Sequence, residues 1–290
     1  MNKLLPLIVI LLFLWSCQTK TQNDDQQDAV PVHFSLSEMW ATDTVMKTPE
    51  SVLYDPARNV LYVANMNRTE EGENTGFISR LATDGSVLDL HWITGLNEPR
   101  GMGIYDNLLF ATDMNRLLII DIENGEVEKA IPVEGSEFLN DLAVEKSGKV
   151  YFTDSRKGVL HTYQNGKLDS WITELEGPNG VFTGDDGQLI LAASGAGEIR
   201  KMNKKTAEYE VMATGVSGDG VEYSGIDDYY IVSEWSGRIV VIGNDTTQTL
   251  LDTREQKINS ADIGYNFRKK VVYVPTFYDN RVVAYKLNTD

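Results

Sequence analysis

Residues 178–202 read PNGVFTGDDGQLILAASGAGEIRKM. A short apolar run, Val181-Phe182-Thr183, leads through a Gly- and Asp-rich turn to a second run, Leu189–Ser194, and a glycine turn leads to a third, Glu198–Met202. β-Branched, aromatic and aliphatic residues fill the runs, while Gly, Asn and Asp separate them, as in strands joined by tight turns. A fourth run, Glu210-Val211-Met212-Ala213, completes the unit.

The unit recurs on both sides. Upstream lie Leu142–Val144, Val150–Asp154 and Val159–Tyr163. Before them come Met102–Tyr105, Leu108–Asp113, Leu117–Asp121 and Val127–Ile131, and first of all Ser51–Tyr54, Val60–Asn65 and Phe77–Leu81. Downstream lie Val221–Tyr223, Tyr230–Glu234 and Arg238–Ile242, then Ile263–Tyr265, Val271–Pro275 and Arg281–Tyr285. No sustained 3.6-residue period follows residue 30, so a helical domain is not expected. Several strands per unit, repeating about every 40 residues, mark propeller blades. The sixth unit ends with the chain before its fourth strand, and residues 33–40 (HFSLSEMW) can supply it. That pairing closes the ring and leaves no open edge. The expected fold is all-β: one six-bladed β-propeller over residues 31–290, closed by the N-terminal strand in the last blade. A β-sandwich or solenoid of similar strand content is the rival.

In a propeller the innermost strands line a central channel, so the residues just before them share its mouth. Those residues are Glu50, Arg100, Asn140, Asn179, Asp219 and Ala261. Four of the six offer a hard oxygen, which suits Ca²⁺ or, secondarily, Mg²⁺. Asn and Asp also favour turns for local hydrogen-bonding reasons, so turn chemistry alone is the competing account. The loops after the second strands would wall the mouth, with Met66, Met114, Ser155, Arg156, Trp235, Phe277 and Tyr278 among them. Such walls suit a small organic ligand, although Trp235 and Phe277 serve equally well as blade caps.

Pro49-Glu50-Ser51-Val52, Asn140-Asp141, Pro178-Asn179-Gly180-Val181 and Asp219-Gly220-Val221 resemble motifs of the SMP-30/gluconolactonase/LRE-like six-bladed propellers. The resemblance covers about residues 45–290. It implies a divalent-metal site of Glu50, Asn140, Asn179 and Asp219. It also implies hydrolysis of a lactone or related ester, with Asp219 as general base or nucleophile. Asp141 is then expected beside the ligands, and Arg100, Asp141, Trp235 and Phe277 at the substrate; Arg100 serves equally as a structural partner of Glu50 or Glu98, and Asp141 as an ordinary turn aspartate. Two departures bear on the substrate. Phe138 stands where members of the family often carry an arginine, and none of His33, His91 and His161 falls at a channel position. The alternative class is a propeller of the NHL or YVTN kind that binds a ligand or protein without catalysis. In a third reading the metal is structural.

Charge and the leader narrow the setting. With 26 Lys+Arg against 43 Asp+Glu the net charge is −17, which repels nucleic acid. One cysteine and three histidines make neither a disulfide framework nor the usual zinc site. Residues 4–15 are an apolar run too short to span a bilayer as a helix, and Leu14-Trp15-Ser16-Cys17 resembles a bacterial lipobox, with Trp15 an unusual occupant. An ordinary cleaved signal peptide with a stray cysteine is the other account. Residues 1–17 are therefore expected to be a lipoprotein signal peptide ending at the lipidated Cys17. Residues 18–30 are expected to be a disordered tether. The folded part would then sit outside the cytoplasm, lipid-anchored to a bacterial membrane.

Overall fold

The computed structural model describes residues 32–68, 72, 74–184 and 187–290. The expected signal peptide, Cys17 and tether lie outside these residues. Residues 33–290 form one compact unit of six four-stranded antiparallel sheets. In sequence order, blade 1 is built from Pro49–Asp55, Val60–Asn65, Gly76–Ala82 and Val87–Leu96. Blade 2 comprises Pro99–Tyr105, Leu108–Asp113, Arg116–Asp121 and Glu126–Pro132. Blades 3 and 4 start at Leu139 and Pro178, and blade 5 has its inner strand at Val221–Tyr223. In blade 6 the outermost strand is Phe34–Ala41, antiparallel to Val282–Thr289, so the two ends of the propeller close one sheet as the sequence predicts.

The burial pattern explains why the strands read as they do. Second strands such as Val150–Asp154, Leu189–Ala193 and Tyr230–Glu234 are buried at every position. Both faces of a blade are covered by its neighbours there, so these strands are near-continuous apolar runs and do not alternate. Outer strands are wet: Glu126–Pro132 is exposed at all but one residue. The core lies between blades. Tyr62, Ala64 and Ile78 of blade 1 pack on Met102, Leu109 and Leu118 of blade 2. Val52 and Leu61 of blade 1 pack on Tyr273 and Ala284 of blade 6. Each Val, Leu, Ile or Met side chain among them contributes about 1.5–3 kcal/mol when removed from water.

A repeated polar clamp fixes how each blade begins. Asp113, fully buried, accepts the backbone N–H groups of Asn97 and Glu98. Asp154 accepts those of Glu137 and Phe138 at 2.8 and 2.9 Å. Asn65 accepts from Lys47, and Glu234 from Ser217. In these four blades the polar residue ending the second strand thus holds the backbone that leads into the first. Its neighbours stitch adjacent blades: Ser233 Oγ donates to Ala261 O at 2.7 Å, and the Thr112 hydroxyl to Asn140 O.

Candidate functional site

The inner strands are interrupted where the candidate residues stand. Pairing between first and second strands shifts register between Pro49 and Ser51, Pro99 and Met102, Leu139 and Leu142, and Pro178 and Val181. Glu50, Arg100, Asn140 and Asn179 occupy those four irregularities. The sequence placed them just ahead of the strands, whereas the strands begin one residue earlier and bulge. A bulge of this kind re-aims a side chain out of the ladder. Asp219 and Ala261 precede their strands as expected.

The following residue is set by crowding between blades. A Cβ on Gly101 would lie 2.5 Å from Asp141 Cα, and one on Gly180 would lie 2.6 Å from Asp219 O. Gly220 meets Asp262 in the same way. Where this position carries a side chain, the side chain bonds across the gap. Ser51 Oγ donates to Asp262 Oδ2 at 2.6 Å. Asp141 Oδ2 accepts the Val181 N–H at 2.6 Å, and its Oδ1 accepts that of Leu142. Asp141 is therefore a strut between blades 3 and 4. Asp262 occupies the same offset in blade 6; the ring spacing pointed to it, and the sequence reading passed over it.

Asn179 Nδ2 donates to Asp219 Oδ1 at 2.6 Å. Asn140 Nδ2 donates to Ser155 Oγ at 3.1 Å, while Ser155 donates to Pro178 O, so the amide is pinned by its nitrogen. Glu50 Oε2, Asn179 Oδ1 and Asp219 Oδ2 are buried and have no hydrogen-bond partner. Burial pushes the Asp219 carboxyl up to about 6. Glu50 lies well above the usual carboxylate range, first through burial, then through Asp219 and Asp262, against the lowering influence of Arg100 and Arg68. Asp262 and Asp141 are raised as well, chiefly by burial. Among the described residues no group of three or more His, Cys, Asp and Glu is disposed to hold a metal ion. The expected set has two carboxylates, and its other members are amides.

Arg100 is almost fully buried. Its Nη1 donates to Leu139 O, its Nη2 pairs with Glu98 at 2.5 Å, and Nε has no partner. Glu98 also pairs with Arg68. The guanidinium carbons of Arg100 and Arg156 sit 4.0 and 4.7 Å from the centre of the Phe138 ring. With Met114 and Glu137 these side chains line a recess of about 170 Å³. Trp235, 45% exposed, stands edge-on to Phe277 and Tyr278. Phe277 itself is buried on Met66 and Ala261, so it supports the wall from beneath. Thr48, Met114 and Phe277 take positive φ values of 49, 60 and 50°. His161 is buried in a third strand, stacked on Phe152, and His91 is exposed against Phe77, both in blade sheets.

No family model matches the chain, and no curated protein matches it. Solved structures do. A candidate gluconolactonase aligns with TM-score 0.68 and 17% identity over 89% of this chain and 94% of its own. A gluconolactonase from Xanthomonas campestris aligns with TM-score 0.64 and 17% identity over 87% and 89%. A catalytically inactive virginiamycin B lyase from Staphylococcus aureus, solved with quinupristin, aligns with TM-score 0.61 and 13% identity over 88% and 99%. At these identities the likeness establishes the six-bladed propeller fold.

Proposed function

We propose that the protein is a divalent-metal-dependent hydrolase that opens a lactone or related ester, with Glu50, Asn140, Asn179 and Asp219 holding Ca²⁺ or, secondarily, Mg²⁺. One observation carries this reading: the oxygens of Glu50, Asn179 and Asp219 that are buried with no donor facing them. Buried acceptors without partners cost on the order of 1–3 kcal/mol each, and a hard cation satisfies several at once. The gluconolactonase neighbours support the substrate class; fold alone does not decide it.

When bound, such a cation polarises the substrate carbonyl and stabilises the negative charge that develops on its oxygen. The chain's own residues do the rest. Asn179 orients the Asp219 carboxylate, which takes a proton from the attacking water, or attacks as nucleophile. Ser155 keeps the Asn140 amide in place. Water adds across the acyl C–O bond, giving a carboxylate and a free hydroxyl. The recess beside the mouth holds three arginines against two glutamates in an otherwise acidic chain, and suits an anionic group on the substrate. Arg156, which makes no ion pair among the described residues, is its outer cation, while Arg100 is the buried charge behind it. Trp235 and Tyr278 give the apolar wall.

The lyase neighbour is inactivated by replacing one histidine with alanine. No histidine of this chain lies at the mouth, so we place no histidine in the mechanism. We also propose that Cys17 carries a lipid anchor that holds the propeller outside the cytoplasm.

The test uses the full-length protein in detergent, stripped with EDTA. Calorimetric titration should give one Ca²⁺ per chain, lost in Glu50→Gln and Asp219→Asn, and a lactone and ester panel should show Ca²⁺-dependent turnover. Absence of both would return the protein to the non-catalytic binders.

A further inference from the structure

The far side of the ring holds a second cavity. The inner strands of blades 4, 5 and 6 end there at Thr183, Tyr223 and Asn266, whereas the candidate site stands where those inner strands begin. The cavity measures about 560 Å³. Its walls include the rings of Phe182, Tyr223, Tyr230, Tyr265 and Phe267.

These rings are held in place. Phe182 and Tyr223 lie against Tyr230, with ring centres 5.9 and 5.6 Å apart. The Tyr223 hydroxyl donates to Asp227 O at 2.9 Å and the Tyr265 hydroxyl to Ser224 O at 3.1 Å. The Phe267 ring packs on Gly225, where any Cβ would collide with it. It is otherwise 58% exposed, a large apolar surface at the rim. With these two hydroxyls committed, the rings offer a guest mainly π-surface.

The charged residues that line the cavity are of one sign: Glu222, Asp227 and Asp228 line it, and no Lys, Arg or His among the described residues does. Lys204, which reaches the lining Thr183 at 2.9 Å, is paired with Glu145. Glu222 also lines the central channel and accepts the Tyr265 backbone N–H. Burial and then the nearby Asp262 raise its pKa well above the usual range, no basic group offsets them, and a cationic guest beside it would favour the carboxylate. An anionic guest would be repelled by Asp227 and Asp228, and a neutral one would gain nothing from the three carboxyl groups. Aromatic rings with carboxylates and no basic residue are the environment that recognises organic ammonium ions.

We propose that this cavity is a second ligand site that takes an organic ammonium ion, its charged head towards Glu222 and its apolar body against Phe182, Tyr223 and Phe267. The site is independent of the mouth and of the hydrolase reading.

Full-length protein in detergent is titrated with choline and with phenethylammonium, each against a neutral analogue, 3,3-dimethyl-1-butanol and 2-phenylethanol. Saturable binding of at least one cation is expected, about tenfold or more tighter than its neutral analogue. Glu222→Gln should weaken it about tenfold, and Phe267→Ala, at an exposed position that leaves the fold intact, several-fold. Asp219→Asn should leave it unchanged. The proposal is overturned if neither cation saturates by 50 mM, or if the neutral analogues bind equally well. It is also overturned if Phe267→Ala and Glu222→Gln both bind as wild type, or if Asp219→Asn abolishes binding.

Discussion

Replacing Asp219 by Asn stabilises the metal-free protein at neutral pH and leaves it unchanged in acid. Burial holds the folded-state pKa of Asp219 at about 6, against about 3.9 in an unfolded chain. The folded state therefore binds this proton more tightly. The proton's stabilising contribution is complete below the unfolded value and is lost as pH rises through the folded one. Between roughly pH 4 and 6 the unfolded chain has released a proton that the folded chain keeps, so stability falls by up to about 1.4 kcal/mol per pH unit. Above pH 6 the loss levels off near 3 kcal/mol, the slope of about 1.4 acting over that window. Asn cannot ionise, so the variant escapes the loss. Asn179 can still donate to its side-chain oxygen. In a domain of this size about 3 kcal/mol corresponds to roughly 6–12 °C in Tm. The assay is thermal unfolding of EDTA-treated wild type and Asp219→Asn at pH 4.0 and 7.5. The two Tm values should lie within about 2 °C at pH 4.0, where the unfolded carboxyl is already half ionised, with the variant higher by roughly 6–12 °C at pH 7.5. Ca²⁺ at a hundred times its Kd should then return about 2.7 kcal/mol to the wild type and nothing to the variant. A variant less stable by the same amount at both pH values would refute the argument. So would a Ca²⁺ effect on Tm shared equally by both proteins.

Gly180→Ala brings a Cβ to 2.6 Å from Asp219 O and should cost about 1–3 kcal/mol in chemical denaturation, with Ca²⁺ affinity falling alongside. Asp154→Ala strips the buried N–H groups of Glu137 and Phe138 of their acceptor and should cost at least about 2–3 kcal/mol, with Asp154→Asn restoring part of it. Arg156→Ala should raise KM for a carboxylate-bearing lactone about tenfold while leaving its neutral methyl ester and Ca²⁺ binding unchanged. Cys17→Ala should release the protein from the membrane fraction and remove the mass of the lipid; equal membrane retention of wild type and variant would sink the anchor.

The fold was legible because a blade needs several short strands and the turns between them, and both leave marks in local composition. Second strands such as Leu189–Ala193 carry the strongest mark, since neighbouring blades cover both their faces. The closing strand Phe34–Ala41 was found only by its absence elsewhere, because an outer strand half in water has weak apolar character. Of the site, the ring of positions was legible from spacing and most of the contacts were not. Glu98 was one of the two structural partners the sequence offered Arg100, and it is the one that pairs; the bond to Leu139 O depends on the bulge at Pro99–Met102, and bulges leave no composition signal. The arginine stack on Phe138 joins residues 100, 138 and 156 from two blades and was equally out of reach.

What the sequence did contain, unused, was a second ring one residue further along: Ser51, Gly101, Asp141, Gly180, Gly220 and Asp262. These positions face the next blade, and the gap there is too narrow for an uncommitted side chain. Three are therefore glycine, and the other three bond across it or receive such a bond. The inter-blade bonds of Ser51 with Asp262 and of Asp141 with Val181 fall within two residues of Glu50, Asn140 and Asn179. Ser51→Ala tests for coupling between the two rings. It removes one hydroxyl, touches none of the four expected ligands, and leaves Asp262 Oδ2 without its donor. Leaving that buried oxygen without its donor costs about 1–3 kcal/mol. If the second ring positions the first, Ca²⁺ affinity falls along with stability. Undiminished affinity in a destabilised Ser51→Ala protein would show that the ligand ring holds its own geometry.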